Sequence, residues 1–179
     1  MFKENRDTYR FKWQDLGDIE AGRPNLGPTT GVAVYRLMQY TLRDVLFKRY
    51  DPETASDTLR EAGKVAGMEF CANVLDTSLD FSGFMADFQR NLKNFKVGIL
   101  RIEKSDMEKM IFEMTISEDL DCSGLPMIEE TICEYDEGFI AGVLRVYTGK
   151  EFHVREVDCW ASGERTCRFS ARLADKAAA

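Results

Sequence analysis

A single histidine, His153, serves a chain of 179 residues, and acids outnumber bases by 31 to 24. The formal charge of −7 argues against nonspecific binding to nucleic acid or an anionic membrane, because both recruit basic surface. No run approaches the roughly 20 apolar residues that a membrane-spanning helix needs. The start, Met1 to Asp7, lacks the apolar core of a secretory signal. The cytoplasm is therefore the expected compartment. No Gly-rich turn follows a predicted strand, so no dinucleotide phosphate cradle is in evidence. The tight C-x-x-C pair of a zinc ribbon is missing too.

Cysteines are present, and they are unevenly spread. In a reducing compartment five of them read as thiols or metal ligands rather than disulfides. Cys71 stands alone in a helical stretch and reads as a small core residue. Cys122, Cys133, Cys159 and Cys167 all fall in the last third. The run from Glu156 to Phe169 alternates like a strand, breaks at Ser162-Gly163, and alternates again. A hairpin folded there brings Cys159 and Cys167 face to face, and Cys133, near the start of the preceding helix, can close over them. Such a group suits structural Zn²⁺, with either Cys122 or Glu118 as the fourth ligand. Cys122 makes a closed four-thiolate site. Glu118 has the strand parity of an inward side chain, where an unpaired carboxylate is costly. No group is placed to shuttle protons, so no catalytic residue is assigned. His153 shares the parity of Cys159 but reads as a surface residue.

The spacing of apolar residues predicts one domain over 1–179. Residues 1–30 form an N-terminal extension with a short strand over 9–13, and 174–179 an Ala-rich, disordered tail. Val34, Leu37, Met38, Thr41, Leu42, Val45 and Leu46 recur as on a helix with one buried face. Asp51-Pro52-Glu53 ends that helix and opens a second, which buries Leu59, Ala62, Ala66, Phe70 and Val74. Its Gly63 and Gly67 would let a neighbouring backbone come close. A third helix carries Phe81, Phe84, Met85, Phe88 and Leu92 on one side. The period then becomes 2 over 96–103, with a turn at 104–106 and a strand whose Met110, Phe112, Met114 and Ile116 share a face that Glu118 continues. A fourth helix spans 128–148, with Gly138 and Gly142 four apart and Gly149 closing it. The fold class is α+β, with N-terminal helices packed on an antiparallel sheet of about four strands.

The stretch Cys133-Glu134-Tyr135-Asp136-Glu137-Gly138-Phe139-Ile140-Ala141-Gly142, with Gly149, Glu156 to Cys159 and Gly163 to Phe169, resembles the 4-vinyl reductase domain family of hydrocarbon-binding proteins. Arg23 to Gly27 and Tyr35-Arg36-Leu37 resemble its stand-alone prokaryotic members. This family is similar in fold to haem nitric-oxide-binding domains and TRAPP vesicle-tethering subunits, the NO-signalling/Golgi-transport ligand-binding fold. The resemblance implies a homodimer with a pocket between helices and sheet. In phenol- and toluene-responsive regulators the same module is the sensor. Its zinc is held there by three cysteines and a glutamate, which Cys133, Cys159, Cys167 and Glu118 match, with Cys122 an extra thiol.

Two departures stand out. Met114 occupies the place of the family's hydroxyl-holding tryptophan, and no histidine precedes His153, so a hydroxyl-reading pocket is not expected. An apolar pocket lined by Met85, Phe88, Phe112, Met114 and Ile116 is expected instead. A haem would lack a separate axial histidine. The chain ends after the domain, so regulatory output is expected to pass through a protein partner. The expectation is a zinc-containing sensor of a hydrophobic small molecule. Alternatives are a reductase or accessory in tetrapyrrole vinyl-group metabolism, and an assembly or scaffold subunit.

Overall fold

A computed structural model describes residues 9–174. The earliest part of the expected N-terminal extension and the tail from 175 lie outside them. Helices α1 (Ile19–Gly22), α2 (Val32–Arg49), α3 (Pro52–Val74) and α4 (Phe81–Asn94) precede a hairpin of β1 (Ile99–Asp106) and β2 (Ile111–Ser117). Then come α5 (Glu134–Thr148), β3 (Phe152–Asp158) and β4 (Cys167–Leu173). The sheet is antiparallel throughout, in the order β1-β2-β4-β3. The α+β architecture is thus present. It places the last strand beside β2, so Cys167 pairs across with Ile116 and Phe169 with Met114.

Local chemistry sets the element boundaries. Asp51 caps α3 by accepting from Thr54 N–H at 3.0 Å, with Pro52 in the first turn, and Asp80 caps α4 through Gly83 N–H at 2.8 Å. Gly149 ends α5 in the left-handed region, φ 72°, its N–H reaching Arg145 C=O. The core forms where α4 and α5 lie on the sheet. Phe84, Phe88, Phe112, Met114, Ile140, Leu144 and Phe169 are all fully buried there. α3 meets α5 through four glycines rather than through side chains. A methyl group on Gly63, Gly67, Gly138 or Gly142 would come within 2.3 Å of a carbonyl oxygen of the facing helix.

Several expectations change. Residues 9–12 form no strand; Trp13–Leu16 is a 3-10 turn that Asp15 holds by accepting Lys12 N–H at 2.9 Å. β1 continues to Asp106, so the turn follows that residue instead of including it. α5 begins at Glu134, not 128, because Ile128 and Glu129 N–H both bind Ala161 C=O and Glu129 takes a positive φ of 61°. The largest reversal concerns α2. Its apolar stripe Val34, Leu37, Met38, Leu42 and Val45 is 45–68% exposed, whereas Tyr35, Arg36, Gln39, Tyr40 and Arg43 face the protein. Periodicity identified the amphipathic faces, but the inward face is the polar one.

The glycine contacts give a direct test. Gly138→Ala should cost about 2–3 kcal/mol in urea unfolding, because its Cβ would lie 1.9 Å from Arg60 C=O. Gly22→Ala, where a Cβ meets nothing within 4 Å, should change stability by less than about 0.5 kcal/mol. Equal unfolding midpoints for the two variants would mean that α3 and α5 part freely.

Candidate functional site

Four sulfurs converge at one end of the sheet. The Sγ atoms of Cys122, Cys133, Cys159 and Cys167 lie within 4.8 Å of one another, and all four residues are buried. Cys133 Sγ is 3.8 Å from that of Cys159 and 3.9 Å from that of Cys167, while Cys122 and Cys167 approach to 3.0 Å. Thiolates at about 2.3 Å around one tetrahedral ion stand about 3.8 Å apart. Two of these edges match that spacing. The group could hold a metal ion.

Each sulfur is placed by a different device. Cys167 opens β4. Cys159 follows β3 after a register shift between Glu156 and Asp158. That irregularity inverts the alternation, so Cys159 turns inward while His153, of the same sequence parity, stays exposed on β3. Ser162 Oγ then accepts Cys159 N–H at 3.0 Å, and Glu164 N–H reaches Cys159 C=O at 3.0 Å, closing the loop. Cys133 is the N-cap of α5, and its N–H and that of Ile132 both bind Glu156 Oε2 at 3.1 Å. Cys122 sits in the loop after β2, where Asp119 Oδ1 accepts the N–H groups of Asp121 and Cys122.

Glu118 stands outside this group. It takes φ 53° as β2 ends, which breaks the strand parity and turns its side chain to solvent. Of the two residues considered for the fourth position, the fold brings Cys122 to the other sulfurs. Cys71 lies in the core, and burial pushes its thiol up to about 11.

The inward face of α2 locks the Cys122 loop. Arg36 donates to the carbonyls of Leu120, Asp119 and Ser123, Tyr40 O–H donates to Asp121 C=O, and Tyr35 and Gln39 donate to the Asp121 carboxylate. On α5, Arg43 grips the Glu134 carboxylate with two N–H groups and Arg60 grips Glu137. Asp119, Asp121, Asp136 and Glu156 surround the sulfurs as buried acids. Burial raises Asp119 to about 7 and Glu156 to about 8, the first helped by Asp121 and the second by Cys159. Among the thiols, hydrogen bonds from Cys122, Cys133 and Cys167 push Cys159 down, while Cys133 is pushed up. Sequence reasoning missed these acids. Asp119-x-Asp121-Cys122 was visible, but an acid beside a turn or in a helix's first turn looks like ordinary capping.

The expected pocket residues have a different fate. Met85, Phe88, Phe112, Met114 and Ile116 are all buried in the helix-on-sheet core, where they pack on one another. A separate apolar cavity of about 520 Å³ opens between α3, α5 and the N-terminal segment, lined by Phe11, Trp13, Val65, Phe70, Tyr135 and Phe139 among others. Glu69 accepts Trp13 N–H at 2.8 Å at its edge. Ala62 and Ala66, expected in the core, line this cavity instead.

The fold and site define an α+β domain whose last helix and terminal strands are gathered around four thiols. Residues 112–173 match the family model of the 4-vinyl reductase domain, and the resemblance read from the sequence holds. Two uncharacterized proteins of Methanocaldococcus jannaschii, MJ1642 and MJ0150, are 30% and 26% identical over 108 and 110 residues, 60% and 62% of this chain. The chain spans 64% and 62% of those relatives' lengths. Among solved structures, a vinyl-4-reductase family protein of the same organism superposes with TM-score 0.61 at 17% identity, covering 94% of this chain and 99% of that one. The phenol-responsive sensory domain of the transcription activator PoxR, solved with phenol, gives 0.63 at 15%, covering 82% and 76%. Trafficking protein particle complex subunit 3 from Naegleria fowleri, covalently bound to palmitic acid, gives 0.64 at 14%, covering 80% and 95%. These likenesses establish the fold.

Metal analysis by mass spectrometry after refolding with zinc checks the sulfur group. Cys122→Ser, Cys133→Ser, Cys159→Ser and Cys167→Ser should each weaken binding by at least tenfold and lower the melting temperature, whereas Glu118→Gln and Cys71→Ser should leave binding unchanged. Retention of tight binding by Cys122→Ser together with loss in Glu118→Gln would reverse the assignment of the fourth ligand.

Proposed function

We propose that the protein is a ligand-binding sensor module that takes a hydrophobic small molecule, with a structural Zn²⁺ in its four-thiol group. The apolar cavity of about 520 Å³ carries this reading. It falls within the roughly 300–1,000 Å³ of small-molecule sites, and its rim offers a carboxylate but little else that is polar. The PoxR sensory domain and the trafficking subunit, both with an organic ligand in a similar fold, support the class of function. Ligand entry would order the N-terminal segment against α3 and α5, and a protein partner would read that state. Zinc suits four thiolates and would tie the Cys122 loop, α5 and the last hairpin together. The free thiols suit a reducing cytoplasm. No helix among the described residues is long and apolar enough to cross a membrane.

Solvent extraction and mass spectrometry, followed by thermal-shift screening against hydrophobic compounds, test the cavity. Saturating ligand at 100 times Kd should add about 2.7 kcal/mol of stability. Ala66→Trp, which fills the cavity, should abolish that gain. A protein that carries no extractable molecule and shifts with no compound would leave the scaffold reading instead.

A second copy of the chain would cover the outer face of α2, making a homodimer. With Leu26 and Val32, the stripe leaves roughly 700 Å² of mostly apolar surface open, near the roughly 800 Å² per partner of a standard interface. The stripe carries no charge, so an antiparallel copy of the same helix is complementary to it. Leu37→Asp should convert a dimer to a monomer in light scattering while the circular dichroism spectrum stays unchanged. A wild-type monomer at high concentration would sink the interface.

A further inference from the structure

Beside the four sulfurs lies a second convergence of donors. Carboxylate oxygens of Asp119 and Asp136 and the Sγ of Cys133 stand within 4.8 Å of one another, all on buried residues. Asp136 is 5% exposed, yet among the described residues no N–H or O–H donates to its Oδ2. A buried carboxylate oxygen without a donor costs about 1–3 kcal/mol or more, and an unpaired charge costs more still. Its neighbours make the deficit worse. Asp121 and Glu156 are also buried acids, and Arg36, the guanidinium that reaches the Asp121 loop, directs its N–H groups to backbone carbonyls.

Four thiolates around one divalent ion retain a charge of −2, so that ion alone does not neutralise the carboxylates beside it. Protonating Asp136 would remove its charge, but the new O–H would still need an acceptor in the place where no donor now reaches. A second cation removes both deficits at once.

We propose that Asp119, Asp136 and Cys133 form a second cation site, with the Cys133 sulfur bridging a divalent first-row ion to the ion of the four-thiol group. Two carboxylates and one thiolate make a donor set of intermediate softness, suited to Zn²⁺, Mn²⁺ or Fe²⁺ rather than to Ca²⁺. Asp119 is preset for this role, because the N–H groups of Asp121 and Cys122 fix its carboxylate by way of Oδ1. Asp136 is carried on the first turn of α5, three residues after Cys133, so both ligands move with one rigid helix. The bridge rests on the four-thiol ion proposed above; the carboxylate pair does not.

Equilibrium dialysis against zinc, with cobalt titration followed by absorption spectroscopy, separates the two sites. The wild-type chain should bind two zinc ions, and Asp136→Asn one. The cobalt spectrum of Asp136→Asn should keep the intense sulfur-to-cobalt band of the four-thiol site and lose only the second equivalent. One ion per chain in the wild type would overturn the second site while leaving the first intact. Two ions in both proteins would also overturn it, since the second would then bind elsewhere. No bound zinc would remove both. Should Asp136→Asn fail to fold by circular dichroism, Asp119→Asn takes its place, and the wild-type cobalt endpoint still decides between one equivalent and two.

Discussion

The close approach of α3 and α5 sets the position of nearly everything that matters in this molecule. Side chains normally keep helix axes about 8–10 Å apart. Here Gly63 and Gly67 face Gly138 and Gly142, and backbone carbonyls occupy the places where methyl groups would stand. Contact of this kind permits little sliding, because any shift drives a carbonyl oxygen into a neighbouring Cα. The axial position of α5 is therefore fixed, and with it the first turn that carries Cys133, Glu134, Asp136 and Glu137. Arg60, from the same stretch of α3, holds Glu137, whose other oxygen accepts Glu156 N–H at 2.8 Å. Glu156 in turn accepts Cys133 N–H. A continuous line of contacts runs from the glycine crossing to the sulfur group.

A second constraint comes from the loop that delivers Cys122. Its backbone is irregular, so its carbonyls cannot be satisfied within a sheet or helix. α2 supplies the missing donors from Tyr35, Arg36, Gln39 and Tyr40. This explains why the helix turns its polar side inward, against the ordinary rule for amphipathic helices. The apolar side is then left on the surface, where a second copy is proposed to cover it. Site and surface are two consequences of one orientation.

The buried acids around the sulfurs follow from the same packing. Desolvation raises Asp119, Asp121, Asp136 and Glu156 above the usual carboxylate range, while Arg36, Arg43 and Arg60 spend their N–H groups on loop carbonyls, Glu134 and Glu137. Such a cluster is costly in a metal-free chain. Cations at the thiols and at the neighbouring carboxylates would relieve that cost, so folding and metal loading would be linked. The apolar cavity is separate from this chemistry. It lies on the flank of α3 and α5 where the N-terminal segment bridges them, with Trp13, Phe70 and Phe139 in edge and tilted ring contacts.

Much of this was legible in the residues alone. Local signals were sufficient for α3, whose Asp-Pro start and glycine pair are properties of neighbouring residues, and for α4 with its aromatic face. They also sufficed for the terminal hairpin and the meeting of Cys159 with Cys167, since a turn at Gly163 needs no information from elsewhere in the chain. Tertiary structure alone decided which way α2 faces, because a polar stripe is inward only if distant carbonyls await it. It decided between Cys122 and Glu118 as neighbour of the other sulfurs, since one positive φ at Glu118 inverts the alternation that sequence parity assumes. It also sent Met85, Phe88 and Phe112 to the core and opened a cavity under Trp13 instead. An apolar side chain records that it shuns water, and only its neighbours determine whether the space beside it is filled.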